Sequence, residues 1–320
     1  MAKIGKLIKI AAGTAIGVGA VYLTIGEVFY EKVLGRKATC WKNDLREATP
    51  EMMKLIGKAD DLVDPDLWYI ANKPEYTTLV NTKGKTTYSH IFKQPEYTNK
   101  WAVVIHGYTS EPQGMANQAM HFYKAGFNVL LPAMISFGPD EGKYCTMGYH
   151  DRYNVKEWIE YIVNDDEDAQ IVMLGVSMGS ATTMLVTGEE DLAENVKCAI
   201  ADCGYSSCWD EFCNQCMTMF GLKPFPFIHA ANTVSKLRGN FDFRKCLPIE
   251  AVAKSKTPTL FVHGELDDVV PFEMLDKVYG ACTAEKQKLI LPNAMHAEAC
   301  DVYPELYYNT IDAFIGKYIK

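Results

Sequence analysis

The chain has 320 residues, 48% of them apolar and 22% charged, with no tract dominated by Gly, Pro or Ser. This average globular composition excludes wholesale disorder, collagen-like repeats and a multi-span membrane protein, and a chain of this length can bury a sizeable core. The net charge of −8, from 32 basic and 40 acidic residues, lacks the electrostatic footprint that phosphate backbones need; it argues against a nucleic-acid partner and for neutral or weakly charged substrates.

At the amino end Lys3, Lys6 and Lys9 precede an uncharged run over 10–26. As a helix that run spans roughly 25 Å, the short end of a membrane crossing. Three readings compete: a single-pass anchor with its lysines in the cytoplasm, a cleaved signal peptide, and an apolar helix of the main fold. An uninterrupted uncharged run flanked by lysines is uncommon in a soluble amphipathic helix. The expectation is therefore a membrane anchor over 1–38 holding an extracytoplasmic domain, with a secreted or cytoplasmic protein as alternatives. Residues 39–75 are polar, broken by Pro50, Pro65 and Pro74, and read as a connecting segment.

Next comes a hairpin pattern, alternating residues over 76–80 and 86–92 around the turn-rich stretch 81–85. Short apolar runs over 101–106, 127–131, 171–176, 196–201, 259–262 and 288–291 predict buried strands. Helical spacing over 117–125, 155–163 and 303–318 predicts helices between and after them. Such runs separated by helices are what a parallel sheet covered on both faces requires. The ten cysteines are spread over a chain long enough to fold without staples. Cys203, Cys208, Cys213 and Cys216 crowd one stretch, but no second Cys-x-x-Cys or His pair follows at metal spacing. They read as small hydrophobes, and no metal site is expected.

One motif carries chemistry. Gly175-Val176-Ser177-Met178-Gly179 follows a predicted strand and precedes Ser180-Ala181-Thr182-Thr183, small residues suited to a helix lying close to a sheet. A serine on so sharp a turn needs neighbours without side chains two positions to either side. Its hydroxyl is a poor nucleophile at neutral pH and requires a His base oriented by a carboxylate, in the chain order Ser, acid, His. Asp267 lies just past the predicted strand at 259–262, and of the seven histidines only His296 follows both. Asp202, just past another strand, and Asp268 are alternative acids; Asp267 has the fuller motif around it. The oxyanion formed in acyl transfer needs two donors. The Met178 N–H at the helix start is one, and the Tyr108 N–H in His106-Gly107-Tyr108 is the other. His106 itself reads as organising that loop.

These residues resemble the α/β-hydrolase superfamily from about residue 76 to the end, through the His-Gly-Tyr loop at 106–108, the elbow at 175–179, His263-Gly264-x-x-Asp267-x-x-Val270-Pro271 and His296. The chain is similar to a membrane-anchored bacterial branch related to serine aminopeptidases and monoglyceride lipase-like hydrolases, on the segments 200–203, 236–239 and 247–252. The resemblance implies an α/β-hydrolase fold over 76–320: a mostly parallel eight-stranded sheet, helices on both faces, and a helical cap inserted after strand six at about 204–244. Relatives with Arg-x-His-Gly-x-Ser after the fourth strand are not matched there, where residues 134–140 read Met-Ile-Ser-Phe-Gly-Pro-Asp. The insert is rich in apolar side chains (Trp209, Phe212, Met217, Met219, Phe220, Phe225, Phe227, Phe241, Phe243), which suit either an acyl or aromatic ester or the insert's own core. The function expected is cleavage of carboxylic esters through an acyl-enzyme on Ser177, with no cofactor. A peptidase, amidase or thioesterase with the same triad is the alternative, and a non-catalytic tethered binding protein is the remote one.

Overall fold

The computed structural model describes residues 2–36, 63–140 and 142–320, and the side chains of all of these except 2–16 and 18. Among the described residues eight strands form one sheet: β1 (Glu75–Val80), β2 (Thr86–Phe92), β3 (Lys100–Ile105), β4 (Asn128–Pro132), β5 (Gln170–Val176), β6 (Val196–Asp202), β7 (Thr259–Gly264) and β8 (Lys286–Leu291). Their order is β1-β2-β4-β3-β5-β6-β7-β8. β1, β2 and β4 pair antiparallel, and every pair from β4 to β8 is parallel.

Strand alternation divides the core into two layers. On β3, Val103 and Ile105 join one apolar cluster and Ala102 and Val104 the other. One layer lies under helices spanning Asp151–Asp165, which carries Trp158, Ile159 and Ile162, and Met178–Thr187. The other is covered by helices Ala116–Lys124 and Pro304–Ile315. The strand order reverses at β3, with β4 on one side and β5 on the other. In an open α/β sheet the crevice outside the carboxyl ends at such a point is where ligands bind.

Among the described residues the α-helices, in chain order, are α1 (Ala2–Val33), α2 (Pro65–Asn72), α3 (Ala116–Lys124), α4 (Asp151–Asp165), α5 (Met178–Thr187), α6 (Cys208–Phe220), α7 (Pro224–Gly239), α8 (Pro248–Lys254), α9 (Glu273–Ala281), α10 (Ala299–Val302) and α11 (Pro304–Ile315). α6 and α7 fill the expected cap insert. Ser207 caps α6 by accepting from the Asp210 N–H at 3.2 Å, and Gly221 ends it in the left-handed conformation.

No helix among the described residues is long and apolar enough to cross a membrane; Gly13, Thr14, Gly17, Gly19, Thr24 and Gly26 dilute the uncharged run. The later part of α1 is instead a packed element of the body. Gly26, Tyr30 and Leu34, one helical face at four-residue spacing, are buried. A Cβ on Gly26 would stand 2.4 Å from the Ala230 carbonyl oxygen of α7, so only glycine permits this approach. Cys145 N–H then donates to Leu34 O at 2.8 Å, and Arg36 N–H to Lys143 O at 2.9 Å.

Most of the expected connecting segment, residues 39–62, lies outside the described residues. Its last part, α2, is no linker: Asp64 caps the helix, accepting from the Leu67 N–H at 2.9 Å. Trp68 and Tyr69 are buried beside Phe92.

Candidate active site

The elbow is built by close backbone contact. Ser177 sits at φ 58°, ψ −116°, a conformation that costs a non-glycine residue on the order of 1–3 kcal/mol and persists only when its surroundings impose it. A Cβ on Gly175 would stand 2.1 Å from Gly179 O, and one on Gly179 would stand 2.0 Å from Ile105 O. The two glycines thus let α5 lie against the ends of β3 and β5. Ser177 N–H donates to Asp202 O at 2.9 Å, which ties the turn to β6.

Ser177, His296 and Asp267 come together in one hydrogen-bonded chain. Ser177 Oγ lies 2.8 Å from His296 Nε2, and His296 Nδ1 lies 2.8 Å and 3.0 Å from the two Asp267 carboxylate oxygens. With Nδ1–H donating to the carboxylate, Nε2 is left to accept from the serine hydroxyl. The Asp267 side chain is fully enclosed. Burial alone raises a carboxyl pKa, but hydrogen bonds from His263 and His296 and their charge hold Asp267 well below the usual carboxylate range. Val269 and Val270 N–H groups also donate to Asp267 Oδ1, at 3.0 Å and 2.8 Å.

The alternative acids fall elsewhere. Asp202 is buried and accepts from Tyr307 OH at 2.9 Å; burial pushes its pKa up to about 6. Its main-chain oxygen, rather than its carboxylate, serves the elbow. Asp268 is exposed, while its neighbour Asp267 takes both bonds from His296.

Tyr108 and Met178 begin the segments after β3 and β5, on either side of the switch point. Gly107 brings the first loop against the nucleophile, where an added Cβ would meet Val176 O at 3.2 Å and Ser177 Cβ at 3.3 Å. His106 braces this loop. It is fully buried, its Nδ1–H donates to Gly107 O at 2.9 Å, and its Nε2 accepts from Met134 N–H at 3.1 Å. Burial lowers its pKa to about 4, so the ring is neutral. The 134–140 loop, where the sequence departs from its relatives, thereby holds His106 in place.

Three features go beyond the roles read from the motifs. His263, buried at the end of β7, places Nε2 3.0 Å from Val270 O and 3.1 Å from Asp267 Oδ2; its four-residue spacing before Asp267 was the available signal. Glu211 of α6 is buried beside the site. The third is α1: Phe29, Tyr30, Val33 and Leu34 join Tyr108, Met147, Ser177, Tyr205, Phe212, Ile228 and Phe243 in lining a cavity of about 390 Å³ over the serine, almost wholly apolar. Tyr108 OH also donates to Val33 O. Of the apolar cap residues, Phe212, Met219, Phe220 and Phe243 line this cavity. Phe241 stacks on Tyr149, Arg244 covers Trp209, Phe227 packs on Phe29, and Met217 and Phe225 are exposed. A larger open cleft of about 860 Å³, lined by mixed charges on and around α4, does not include Ser177.

The nine described cysteines are free, eight of them buried. Cys203 Sγ, Asp267 and His296 offer ligand atoms within 4.8 Å of one another. Burial, with Asp202 and Asp267 nearby, pushes the Cys203 thiol well up, and the other two side chains already bond each other, so the trio does not suit a metal.

Residues 144–320 match the prolyl oligopeptidase family. The uncharacterized protein YqkD of Bacillus subtilis (strain 168) is 25% identical over 223 residues, 69% of this chain and 72% of its own length. The Pyrococcus furiosus esterase Pf2001 is similar with a TM-score of 0.64 at 18% identity, over 77% of this chain and 92% of that one. A Pyrococcus horikoshii acylaminoacyl peptidase is similar with a TM-score of 0.55 at 15% identity, over 76% of this chain and 40% of that one. The fold common to them is that of the α/β-hydrolase superfamily.

Proposed function

The chain belongs to the prolyl oligopeptidase family and is a serine hydrolase of the α/β-hydrolase type; from that premise we propose that it cleaves carboxylic esters of short to medium acyl or aromatic acids. One observation carries the reading: the serine at the elbow, bonded through His296 to Asp267, opens into an almost wholly apolar cavity. Such a lining favours an uncharged acyl or aryl group over a charged peptide terminus.

In this reading His296 Nε2 takes the proton of Ser177 Oγ as the oxygen attacks the ester carbonyl. Asp267 holds the imidazole tautomer and stabilises the cation that forms. The oxyanion is held by the N–H groups of Met178, at the positive end of α5, and Tyr108. The tetrahedral species collapses as His296 returns its proton to the departing alcohol, leaving an acyl ester on Ser177. Water, deprotonated by the same nitrogen, then releases the acid. Each role uses a group of this chain.

A peptide or amide substrate is the second reading, favoured by the family match. A panel of p-nitrophenyl esters, aminoacyl-naphthylamides and acyl thioesters separates the two. Esters are expected to exceed naphthylamides in kcat/KM by at least about 100-fold, and a naphthylamide turned over faster than any ester overturns the assignment. Ser177→Ala is expected to abolish turnover of p-nitrophenyl acetate. Labelling by a fluorophosphonate probe is expected to vanish in His296→Gln; undiminished labelling there would mean that no base activates Ser177.

A further inference from the structure

The cavity over Ser177 contains one feature that ester hydrolysis does not use. Glu211 on α6 is 4% exposed and lines the cavity together with Gln215, one turn later. Its Oε1 accepts from Gln215 Nε2 at 3.0 Å, and the same nitrogen donates to Val269 O at 2.5 Å. Glu211 Oε2 is enclosed and has no hydrogen-bond partner among the described residues. A buried polar atom left unpaired costs on the order of 1–3 kcal/mol, a cost that a ligand supplying the partner removes.

We propose that Glu211, positioned by Gln215, is a polar subsite in the acyl cavity that binds one neutral oxygen, a hydroxyl carried by the buried acyl chain of the substrate. The inference rests on the ester-hydrolase reading and narrows its substrate class to hydroxylated medium-chain acyl esters.

Counting donors selects a hydroxyl over an amine. An ammonium brings three donors, whereas Glu211 offers one unpaired oxygen in a cavity whose lining is mostly apolar, Phe212, Phe243 and Val270 among it. Two of the three donors would be stranded, and a buried ion pair is favourable only when its remaining hydrogen bonds are met. A hydroxyl needs one partner and can either donate or accept. Charge agrees: burial, with Asp267 adding to it, pushes the Glu211 carboxyl up to about 8. The group is thus mostly protonated at neutral pH and presents a donor to the chain's oxygen. Lys32 is the cationic side chain of the lining and is exposed.

The test uses the full chain with p-nitrophenyl esters of straight alkanoic acids of about six to ten carbons, each compared with its ω-hydroxy and ω-amino counterpart. At one chain length the ω-hydroxy ester is expected to exceed its parent in kcat/KM on the order of tenfold. Glu211→Gln, whose amide can donate and accept at the same place, is expected to keep most of that preference. Glu211→Leu is expected to erase it, read as the ratio of ω-hydroxy to parent kcat/KM within the same variant. Equal fluorophosphonate labelling of the variants checks that fold and nucleophile are intact. The subsite is overturned if no length shows a hydroxyl preference, if the preference survives in Glu211→Leu, or if the ω-amino ester is preferred in the wild type. Parent chains hydrolysed without discrimination sink the subsite alone, whereas parent chains left uncleaved sink the ester reading with it.

Discussion

The floor and the roof of the cavity are built on opposite principles. The floor is the loops after β3, β5 and β7, where Asp267 takes bonds from two imidazoles and two backbone N–H groups, His106 is pinned at both ring nitrogens, and two glycines fix the elbow. The roof is α1, α6 and α7, where rings meet side to side, Met219 and Phe220 are 70% and 54% exposed, and Glu211 keeps an unpaired oxygen. Acyl transfer depends on groups held to fractions of an ångström; accepting acyl chains of different shape depends on side chains that can repack. A substitution in the floor should therefore change the rate for every substrate, and one in the roof should change which substrate is preferred.

The sharpest way to break this contrast is Asp267→Asn. An amide no longer fixes the Nδ1–H tautomer of His296, and a loss in kcat of about 10⁴ is expected for every ester in a chain-length series. Thermal unfolding followed by circular dichroism should show the variant folded. A loss confined to long chains would mean that Asp267 acts through the roof.

The floor was legible in the sequence because its constraints are local. Gly175 is dictated by contacts within the strand, turn and helix that contain Ser177, Gly179 shares that short motif although it is β3 that it approaches, and His296 is selected by chain order. The parallel strands were legible as apolar runs because both faces of the sheet are covered. The roof was not legible, because its determinant is a meeting of distant segments. Nothing near Gly26 announces that it will touch Ala230, or that Phe29 and Leu34 will wall a cavity containing Ser177. An uncharged run read alone resembles a membrane span, and only packing against α7 shows that its later part serves the protein interior. Glu211 was passed over for a related reason: an acidic residue in the first turn of a helix is ordinary, and the Gln215 that holds it is itself anchored to Val269 O, which arrives from later in the chain.

Glu211→Gln tests the roof through pH. The folded carboxyl pKa of about 8 stands above its ordinary value of 4.5, so the folded state binds the proton more tightly than the unfolded state does. The associated stability is fully present below about pH 4.5 and is lost as pH rises toward 8. Between pH 5 and pH 8 the wild type should lose on the order of 3 kcal/mol relative to Glu211→Gln, measured as the difference in urea-unfolding free energy. Asp151 and Asp202, both raised to about 6 by burial, add a slope of the same sign to both proteins and cancel in the difference. A constant difference across that range would show that Glu211 is ionised in the folded state.

Gly26→Leu probes the roof without touching its polar group. The added side chain has no room beneath Ala230 and must lift α1 from α7, opening the wall made by Phe29, Tyr30 and Leu34. Octanoate esters should lose about tenfold in kcat/KM, while acetate, too short to reach that wall, should stay within about twofold of wild type. Equal losses on the two would place α1 in the catalytic floor.

Tyr108 joins the two regions, since its N–H belongs to the proposed oxyanion site and its hydroxyl holds the end of α1 through Val33 O. Tyr108→Phe removes the second role and keeps the first. One hydrogen bond between neutral groups contributes about 1 kcal/mol, and its loss should appear as faster amide hydrogen exchange over residues 26–34 with the exchange of β5 and α5 unchanged. Octanoate hydrolysis should fall by no more than a few-fold and acetate hydrolysis should be indistinguishable from wild type. If acetate suffers the larger loss, the ring of Tyr108 is positioning its own backbone N–H, and the boundary between floor and roof runs on the far side of this residue.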